Sequence, residues 1–246
     1  MDFKDKVVLI TGSSSGIGKA AALKFANEGA KIIVNYRSNK KGAEETASEI
    51  KNSGGDASAI QTDITDPIQV KKLFALIVQR FSTLDVLINN AGLAKPKPFL
   101  EITQNDLISD FHENFFSTVF CCQEAVKIML KNKRGKIINC SSTAALTGFK
   151  SVVTYSAAKA SVITFTKSLA KLYAPKILVN AVAPGYTLTR YWDTASGELK
   201  KESIEETLLK KMVTPEEIAE TYLYLAKNDS ITGQTIVVDA GYTVNL

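Results

Sequence analysis

Apolar residues along this chain fall into short unbroken runs, separated by longer stretches in which they recur with helical spacing. Lys6 to Ile10 (KVVLI) is apolar after its first residue and leads straight into a Gly/Ser loop. A run of that length bounded by turn residues reads as a buried strand. Ile17, Ala21 and Phe25 then share one helical face up to Glu28, and Gly29 stops the helix. The alternation repeats. Lys31 to Tyr36 is a second strand, Ala43 to Ile50 a polar helix, Ala57 to Gln61 a short strand, Pro67 to Phe81 a helix and Val86 to Asn89 a fourth strand. A long apolar-periodic segment covers about Asn105 to Leu130. Strands at Ile137 to Cys140, Ile177 to Ala181 and Thr235 to Val238 follow, with helices at Val153 to Tyr173 and Glu216 to Ala226 between them.

Strands apolar on both faces and alternating with helices imply parallel pairing, because a parallel connection must cross over and its helices cover the sheet. The expected fold class is therefore α/β: a doubly wound parallel sheet of about seven strands with helices on both faces, Rossmann-like. No repeat, linker or low-complexity tract divides the chain, so residues 1–246 are expected to form one domain. The irregular stretch from about Tyr186 to Lys211 is polar, holds the only Trp and follows Pro184-Gly185. A long late excursion of this kind is expected to be a lid over a substrate site.

The first strand-to-helix connection reads Thr11-Gly12-Ser13-Ser14-Ser15-Gly16-Ile17-Gly18. Gly12 permits a tight turn, Gly16 lets the backbone approach a ligand and Gly18 allows close packing of helix on strand. A pyrophosphate would sit at the helix N-terminus, where unpaired N–H groups and the dipole favour negative charge. The spacing departs in letter from the general dinucleotide fingerprint, and a plain Gly-rich turn is the alternative for this loop taken alone. At the end of the second strand, Tyr36 takes the position where an acid would accept the 2′-hydroxyl of NAD, and Arg37 follows. A guanidinium with no carboxylate opposing it suits the 2′-phosphate of NADP, so NADP(H) is the favoured cofactor, with NAD possible.

Tyr155 and Lys159 are four apart on a helix and share a face. An ammonium near a phenol favours the phenolate and is expected to lower the tyrosine pKa toward a value useful for proton transfer. Tyr36 and Lys40 repeat the spacing, so context decides: Tyr155 follows Ser142 at the exit of the fifth strand.

Composition narrows the alternatives. Of 246 residues 45% are hydrophobic and 22% charged, which is ordinary globular usage. The net charge of +5 comes from scattered lysines, which argues against a nucleic-acid footprint and leaves attraction of anionic ligands as a secondary reading. Cys121, Cys122 and Cys140 lack metal-ligand spacing and are odd in number, so reduced core thiols are expected and a metal is not. His112 is the sole histidine, with no nucleophile-elbow motif to support a hydrolase. No apolar run approaches transmembrane length, and a cytoplasmic protein without a membrane partner is expected.

Together these motifs resemble the short-chain dehydrogenase/reductase family over essentially the full length. The pieces are TGSSSGIG at Thr11 to Gly18, NNAG at Asn89 to Gly92, Asn114, Ser142 thirteen residues before Tyr155, YSAAK at Tyr155 to Lys159, and PGYTLT at Pro184 to Thr189. The resemblance implies an oxidoreductase that moves a hydride between nicotinamide and a carbonyl or alcohol. It implies Tyr155 as general acid or base, Ser142 as donor to the substrate oxygen, Lys159 as ribose contact, and Asn114 as anchor of a proton-relaying water. Ser14, Ser15, Ile17, Asn90, Ala91, Gly92, Pro184 and Gly185 would line the cofactor, Asp63 and Ile64 the adenine edge, and Thr187 and Thr189 the nicotinamide amide or pyrophosphate. The nearest look is to 3-oxoacyl-carrier-protein reductases, with sugar or polyol dehydrogenases close behind. A non-catalytic dinucleotide-binding regulator is the rival from another class. An acidic carrier would need a basic patch by the pocket, for which Lys131, Lys133, Arg134 and Lys136 are candidates. A homo-oligomer, tetramer or dimer, is expected from the resemblance. Asp239-Ala240-Gly241 departs from the common Asp-Gly-Gly, which puts the C-terminal contacts in doubt.

Overall fold

In the computed structural model, which describes residues 2–193 and 195–245, the first apolar run is a strand buried on both sides. In β1 (Val7–Ile10), Val8 and Ile10 point into a core with Phe25, Ile50 and Tyr222, while Val7 and Leu9 point into another with Phe74, Ile77 and Met129. Side chains alternate along a strand, so a run with no polar position needs apolar cover on each face. α1 (Gly16–Asn27), α2 (Lys40–Asn52) and α9 (Pro215–Lys227) supply one cover; α3 (Pro67–Phe81), α5 (Ser117–Lys131) and α7 (Val153–Tyr173) supply the other.

The remaining strands are β2 (Lys31–Tyr36), β3 (Asp56–Gln61), β4 (Val86–Asn89), β5 (Gly135–Cys140), β6 (Ile177–Pro184) and β7 (Thr235–Val238). They form one seven-stranded sheet in the order β3-β2-β1-β4-β5-β6-β7, parallel at every pairing. The expected doubly wound α/β class is what the chain adopts. Because β1 lies between β2 and β4, the winding reverses there, and the loops leaving their C-terminal ends splay apart. In open α/β sheets this is the crevice in which ligands bind.

Local signals set the helix ends. Asp66 accepts from the N–H groups of Ile68 and Gln69 before Pro67 opens α3, and Thr214 with Glu217 forms a reciprocal capping box before α9. The segment expected as one helix from Asn105 to Leu130 is instead three pieces: α4 (Gln104–Phe111), a π-helical turn (His112–Phe116) and α5. The Ser117 N–H donates to the His112 carbonyl. One extra residue per turn rotates the helix face, a device frequent at functional sites and invisible to a 3.6-residue period. His112 stays a half-buried helix residue, edge-on to Phe116 at 4.9 Å.

Two short helices went unread in the sequence: α6 (Ala144–Thr147), and α8 (Gly197–Glu205) inside the irregular stretch. α8 carries only Leu199 and Ile204 as apolar residues, too few to show a period, yet Ser196 caps it by accepting from the Leu199 N–H. Cys121, Cys122 and Cys140 are free and buried. Among the described residues, no helix is long and apolar enough to cross a membrane.

Candidate active site

A cleft of about 860 Å³ opens along the C-terminal ends of the strands, at the winding reversal. It is lined in order by the loops after β1 through β6, and all but two of the residues expected at the site face it. The two exceptions are Gly18 and Asn114, which lie behind its wall.

At one end stands the glycine loop. Gly12 and Gly16 have φ of +65° and +54°, the left-handed region that L side chains rarely adopt. A Cβ on Gly18 would meet the Gly12 carbonyl oxygen at 2.4 Å and Asn90 Nδ2 at 2.7 Å, which is the close packing expected of it. Ser15 precedes α1 but makes no side-chain capping bond, so the first-turn N–H groups are left for a ligand at the cleft. The loop is held by residues on three strands. Thr11 Oγ1 accepts from the N–H groups of Asn90 and Ala91, each at 3.0 Å, and Asn90 Nδ2 donates to the Thr11 carbonyl. Asn35, unremarked in the sequence, accepts from the Gly12 N–H and donates to the Thr62 carbonyl at 3.3 Å, tying the β1, β2 and β3 ends together. A single Asn inside an apolar strand was the signal available for it. Thr189 closes over the loop: a Cβ on Gly16 would lie 3.3 Å from its Cγ2. Thr187 is pinned by the bond from its Oγ1 to the Gly185 carbonyl, beside Pro184 in the cleft wall.

At the end of β2, where the sequence placed the adenosine, buried Tyr36 is followed by Arg37, and Asp63 and Ile64 stand across from them. Asp63 Oδ1 accepts from the N–H and hydroxyl of Thr65, while Ile64 belongs to the core under α3. Here one expectation is corrected. Arg37 is opposed by a carboxylate after all: its Nη1 lies 3.5 Å from Glu113 Oε1, which also receives Lys95 Nζ at 3.1 Å. The pairing joins residues far apart in sequence, and the π-helical turn that swings Glu113 toward the cleft left no trace in the sequence pattern.

At the other end Ser142, Tyr155 and Lys159 converge on the cleft floor. α7 sets Tyr155 and Lys159 one turn apart, and Lys159 Nζ lies 5.7 Å from the Tyr155 ring centroid while donating to the Cys140 carbonyl at 2.9 Å. The Lys159 carbonyl accepts from Ser141 Oγ, locking α7 to the end of β5. Asn114, fully buried in the π-helical turn, accepts from the Leu93 N–H and donates to the Leu93 and Asp110 carbonyls. A Cβ on Gly92 would sit 2.6 Å from Asn114 Oδ1 and 2.9 Å from Lys159 Nζ, so this glycine leaves room for both.

The electrostatics differ from the sequence expectation. Burial raises the Tyr155 pKa, and a hydrogen bond with Ser142 opposes it only in part. Burial likewise lowers the pKa of Lys159. The ammonium is engaged by a carbonyl and faces the ring, so desolvation outweighs its pull on the phenol.

Beyond these groups the walls are aromatic: Phe149, Tyr186 and Trp192 line the cleft, with Tyr186 stacked edge-on to Trp192 and Tyr242 at 5.8 and 5.1 Å. α8 adds Leu199 and Ser203. The excursion containing it leaves and returns through one bridge, Thr187 beside Val213, with Tyr186 Oη donating to Glu206 across it. The basic cluster lies elsewhere. Lys131, Lys133, Arg134 and Lys136 sit at the start of β5, whereas the cleft receives its end at Cys140, roughly 13 Å away along the strand. Lys136 is itself buried and paired with Asp229 at 2.6 Å. These residues do not border the pocket.

The chain is similar to known proteins over nearly its whole length. A family profile described as Enoyl-(Acyl carrier protein) reductase matches residues 12–243. A 3-oxoacyl-(acyl-carrier-protein) reductase of Synechocystis sp. is 39% identical over 240 residues, covering 96% of both chains. A 3beta-hydroxysteroid dehydrogenase of Mediterraneibacter gnavus is 36% identical over 266 residues, covering 98% of this chain and 96% of its own. Among solved structures, a 7alpha-hydroxysteroid dehydrogenase complexed with NADH and 7-oxo glycochenodeoxycholic acid superposes with a TM-score of 0.93 at 30% identity, covering 97% of this chain and 94% of its own. Fold, motif order and relatives over nearly the whole length converge: the chain belongs to the short-chain dehydrogenase/reductase family of oxidoreductases.

Proposed function

We propose that this protein is an NADP(H)-dependent carbonyl reductase whose substrate is a 3-oxoacyl thioester, a reading supported by its similarity to a 3-oxoacyl-(acyl-carrier-protein) reductase. The basic cluster expected to receive an acidic carrier lies away from the cleft and lends that partner no support. The observation that carries the catalytic part is the meeting of Ser142, Tyr155 and Lys159 on the floor of the same cleft that holds the glycine loop. The residues fit a nicotinamide dinucleotide. Gly12 and Gly16 have the backbone geometry for close approach, the start of α1 keeps its donors free, and Arg37 supplies a cation at the adenosine end. When bound, that cofactor supplies or accepts the hydride.

This chain's own groups do the rest. Hydride addition to a carbonyl carbon leaves negative charge on its oxygen, which needs a donor and then a proton. The Ser142 hydroxyl is the donor, and the Tyr155 phenol, kept protonated by burial, gives up its proton to the nascent alkoxide. Lys159 and Asn114 hold that end of the cleft in register, with Asn114 as the anchor for a relaying water. The segment 186–211 serves as the lid, its two ends fixed at the Thr187–Val213 bridge and α8 forming the face toward substrate. The remaining assignments, one domain over residues 1–246, a tetramer or dimer, and a cytoplasmic location, extend the same proposal.

A second reading, a secondary-alcohol dehydrogenase acting on an apolar ring system, draws on the aromatic wall of Phe149, Tyr186 and Trp192 and on the two hydroxysteroid relatives. A sugar or polyol would find Ser151 and Ser203 as hydroxyl partners beside these rings. One experiment addresses all of these: kcat/KM for a panel of 3-oxoacyl thioesters, ring ketones and sugars, with each dinucleotide, for wild type and Tyr155→Phe. The proposal expects thioester reduction with NADPH to lead, and the variant to lose turnover by roughly three orders of magnitude or more while binding cofactor normally. Cofactor binding without any turnover in the wild type points to a regulator and overturns it.

A further inference from the structure

The carboxylate facing Arg37 occupies a position that a surface ion pair does not. Glu113 is 15% exposed while Arg37 is 52% and Lys95 45% exposed, so the acid is fixed in the wall and the cations reach to it. Both Arg37 and Glu113 line the cleft. Glu113 Oε1 serves both cations, at 3.5 Å to Arg37 Nη1 and 3.1 Å to Lys95 Nζ, and Oε2 is buried with no hydrogen-bond partner. Lys95 is further held by Ser109 Oγ at 3.1 Å. The acid spans the gap between the loop after β2 and the loop after β4, on the adenosine side.

We propose that Glu113 sets the balance between the two nicotinamide dinucleotides, by competing with a 2′-phosphate for Arg37. The inference rests on the dinucleotide reading of the cleft. A 2′-phosphate entering at Arg37 is a dianion that must displace Glu113 Oε1 and then remain beside an acid whose second oxygen is buried without a hydrogen-bond partner. The unphosphorylated ribose brings a neutral hydroxyl and meets no such repulsion. Arg37 alone makes the site select the phosphate, and Glu113 pulls that selectivity back, so both dinucleotides are accepted.

The test is the dissociation constant of NADPH and of NADH, by titration of intact protein, for wild type, Glu113→Gln, Arg37→Ala and the double variant. Wild type is expected to favour NADPH by no more than about tenfold. Glu113→Gln keeps the shape and removes the charge; it is expected to tighten NADPH by roughly threefold to tenfold, the range of a partly screened charge pair, with NADH changed by less than about twofold. In the Arg37→Ala background the same change is expected to shift NADPH by less than half as much, because the contested cation is gone. Equal tightening of both ligands, or no change in their ratio, overturns the inference. So does a wild-type preference for NADPH beyond about a hundredfold, a measurement that needs no variant to fold. If Arg37→Ala weakens NADPH selectively while Glu113→Gln leaves the ratio unmoved, the dinucleotide reading stands and this inference alone falls. If neither dinucleotide binds the wild type, both fall.

Discussion

Replacing Gly92 by Ala perturbs the chemical end of the cleft without altering any group proposed to react. The added methyl would stand 2.6 Å from Asn114 Oδ1 and 2.9 Å from Lys159 Nζ, both well inside contact distance. Asn114 cannot retreat cheaply, since it is fully buried and bonded to Leu93 on both backbone atoms and to the Asp110 carbonyl. Lys159 is the part able to yield, and moving Nζ stretches its 2.9 Å bond to the Cys140 carbonyl. Overpacking a filled site costs about 1–3 kcal/mol, and loss of a buried hydrogen bond to a charged group a further 1.5–3 kcal/mol or so. The shared relaxation brings the expected loss of stability to roughly 2–4 kcal/mol. Displacement of the ammonium is expected to cut kcat on the order of a hundredfold. Urea unfolding and kcat at saturating NADPH measure the two effects. Gly197→Ala is the control: a Cβ there meets nothing within 4 Å, and its change is expected within about 0.5 kcal/mol of zero. If Gly92→Ala matched this control in both assays, the crowding of Asn114 and Lys159 around Gly92 would not describe the working protein.

Two further outcomes follow from the same geometry. Because burial holds the Tyr155 phenol above its usual pKa, carbonyl reduction is expected to keep a level kcat from about pH 6 to about pH 9, while alcohol oxidation, which needs the phenolate, climbs across that interval. Stopped assays in both directions check this, and a reduction rate that falls as pH passes about 7 refutes it. At the C-terminus, the buried Asp239 carboxylate accepts from the N–H groups of Gly241 and Thr243 and from the Thr243 hydroxyl, so Asp239→Ala is expected to cost roughly 3 kcal/mol by thermal or urea unfolding, and a loss below about 1 kcal/mol rejects that role.

The sheet was legible because its physics is local. A run such as Val86–Asn89 or Ile177 to Ala181 reads as a strand of the sheet interior, Thr235–Val238 as its partly covered edge, and Pro67–Phe81 announces its own start with Asp66 and Pro67. The site residues were legible where they lie in compact motifs. What escaped depends on groups distant in sequence. Asn35 matters because it bonds to the backbones of Gly12 and Thr62; Glu113 matters because a π-helical turn brings it to Arg37. The sign of the Tyr155 shift escaped for another reason: spacing shows that Lys159 is near, but not that its ammonium is spent on the Cys140 carbonyl. The departure at Asp239-Ala240-Gly241 has a structural counterpart as well. Ala240 holds φ at +54°, a conformation that suits the glycine common there, and its methyl is buried in the core with Tyr222. A buried methyl contributes about 0.8 kcal/mol, which offsets much of the roughly 1 kcal/mol of left-handed strain.

The π-helical turn links the two ends of the cleft in a way that neither end shows alone. Glu113 and Asn114 are adjacent, yet one faces Arg37 and Lys95 and the other is bonded to Leu93 and stands beside Lys159. In an unbroken α-helix the residue after an exposed acid turns by about 100° and the next turn repeats the pattern every 3.6 residues. The inserted residue breaks that repeat between α4 and α5, so α5 keeps its apolar face on the sheet side while Glu113 faces the cleft and Asn114 lies buried behind its wall. Leu93, which Asn114 holds by both backbone groups, precedes Lys95 on the same loop. A shift of the loop after β4 is therefore felt by Lys95 beside Glu113 and by Gly92 beside Lys159 together. One five-residue turn thus bears on both the Arg37–Glu113 pair and the surroundings of Lys159, and a change that straightened it is expected to disturb both at once.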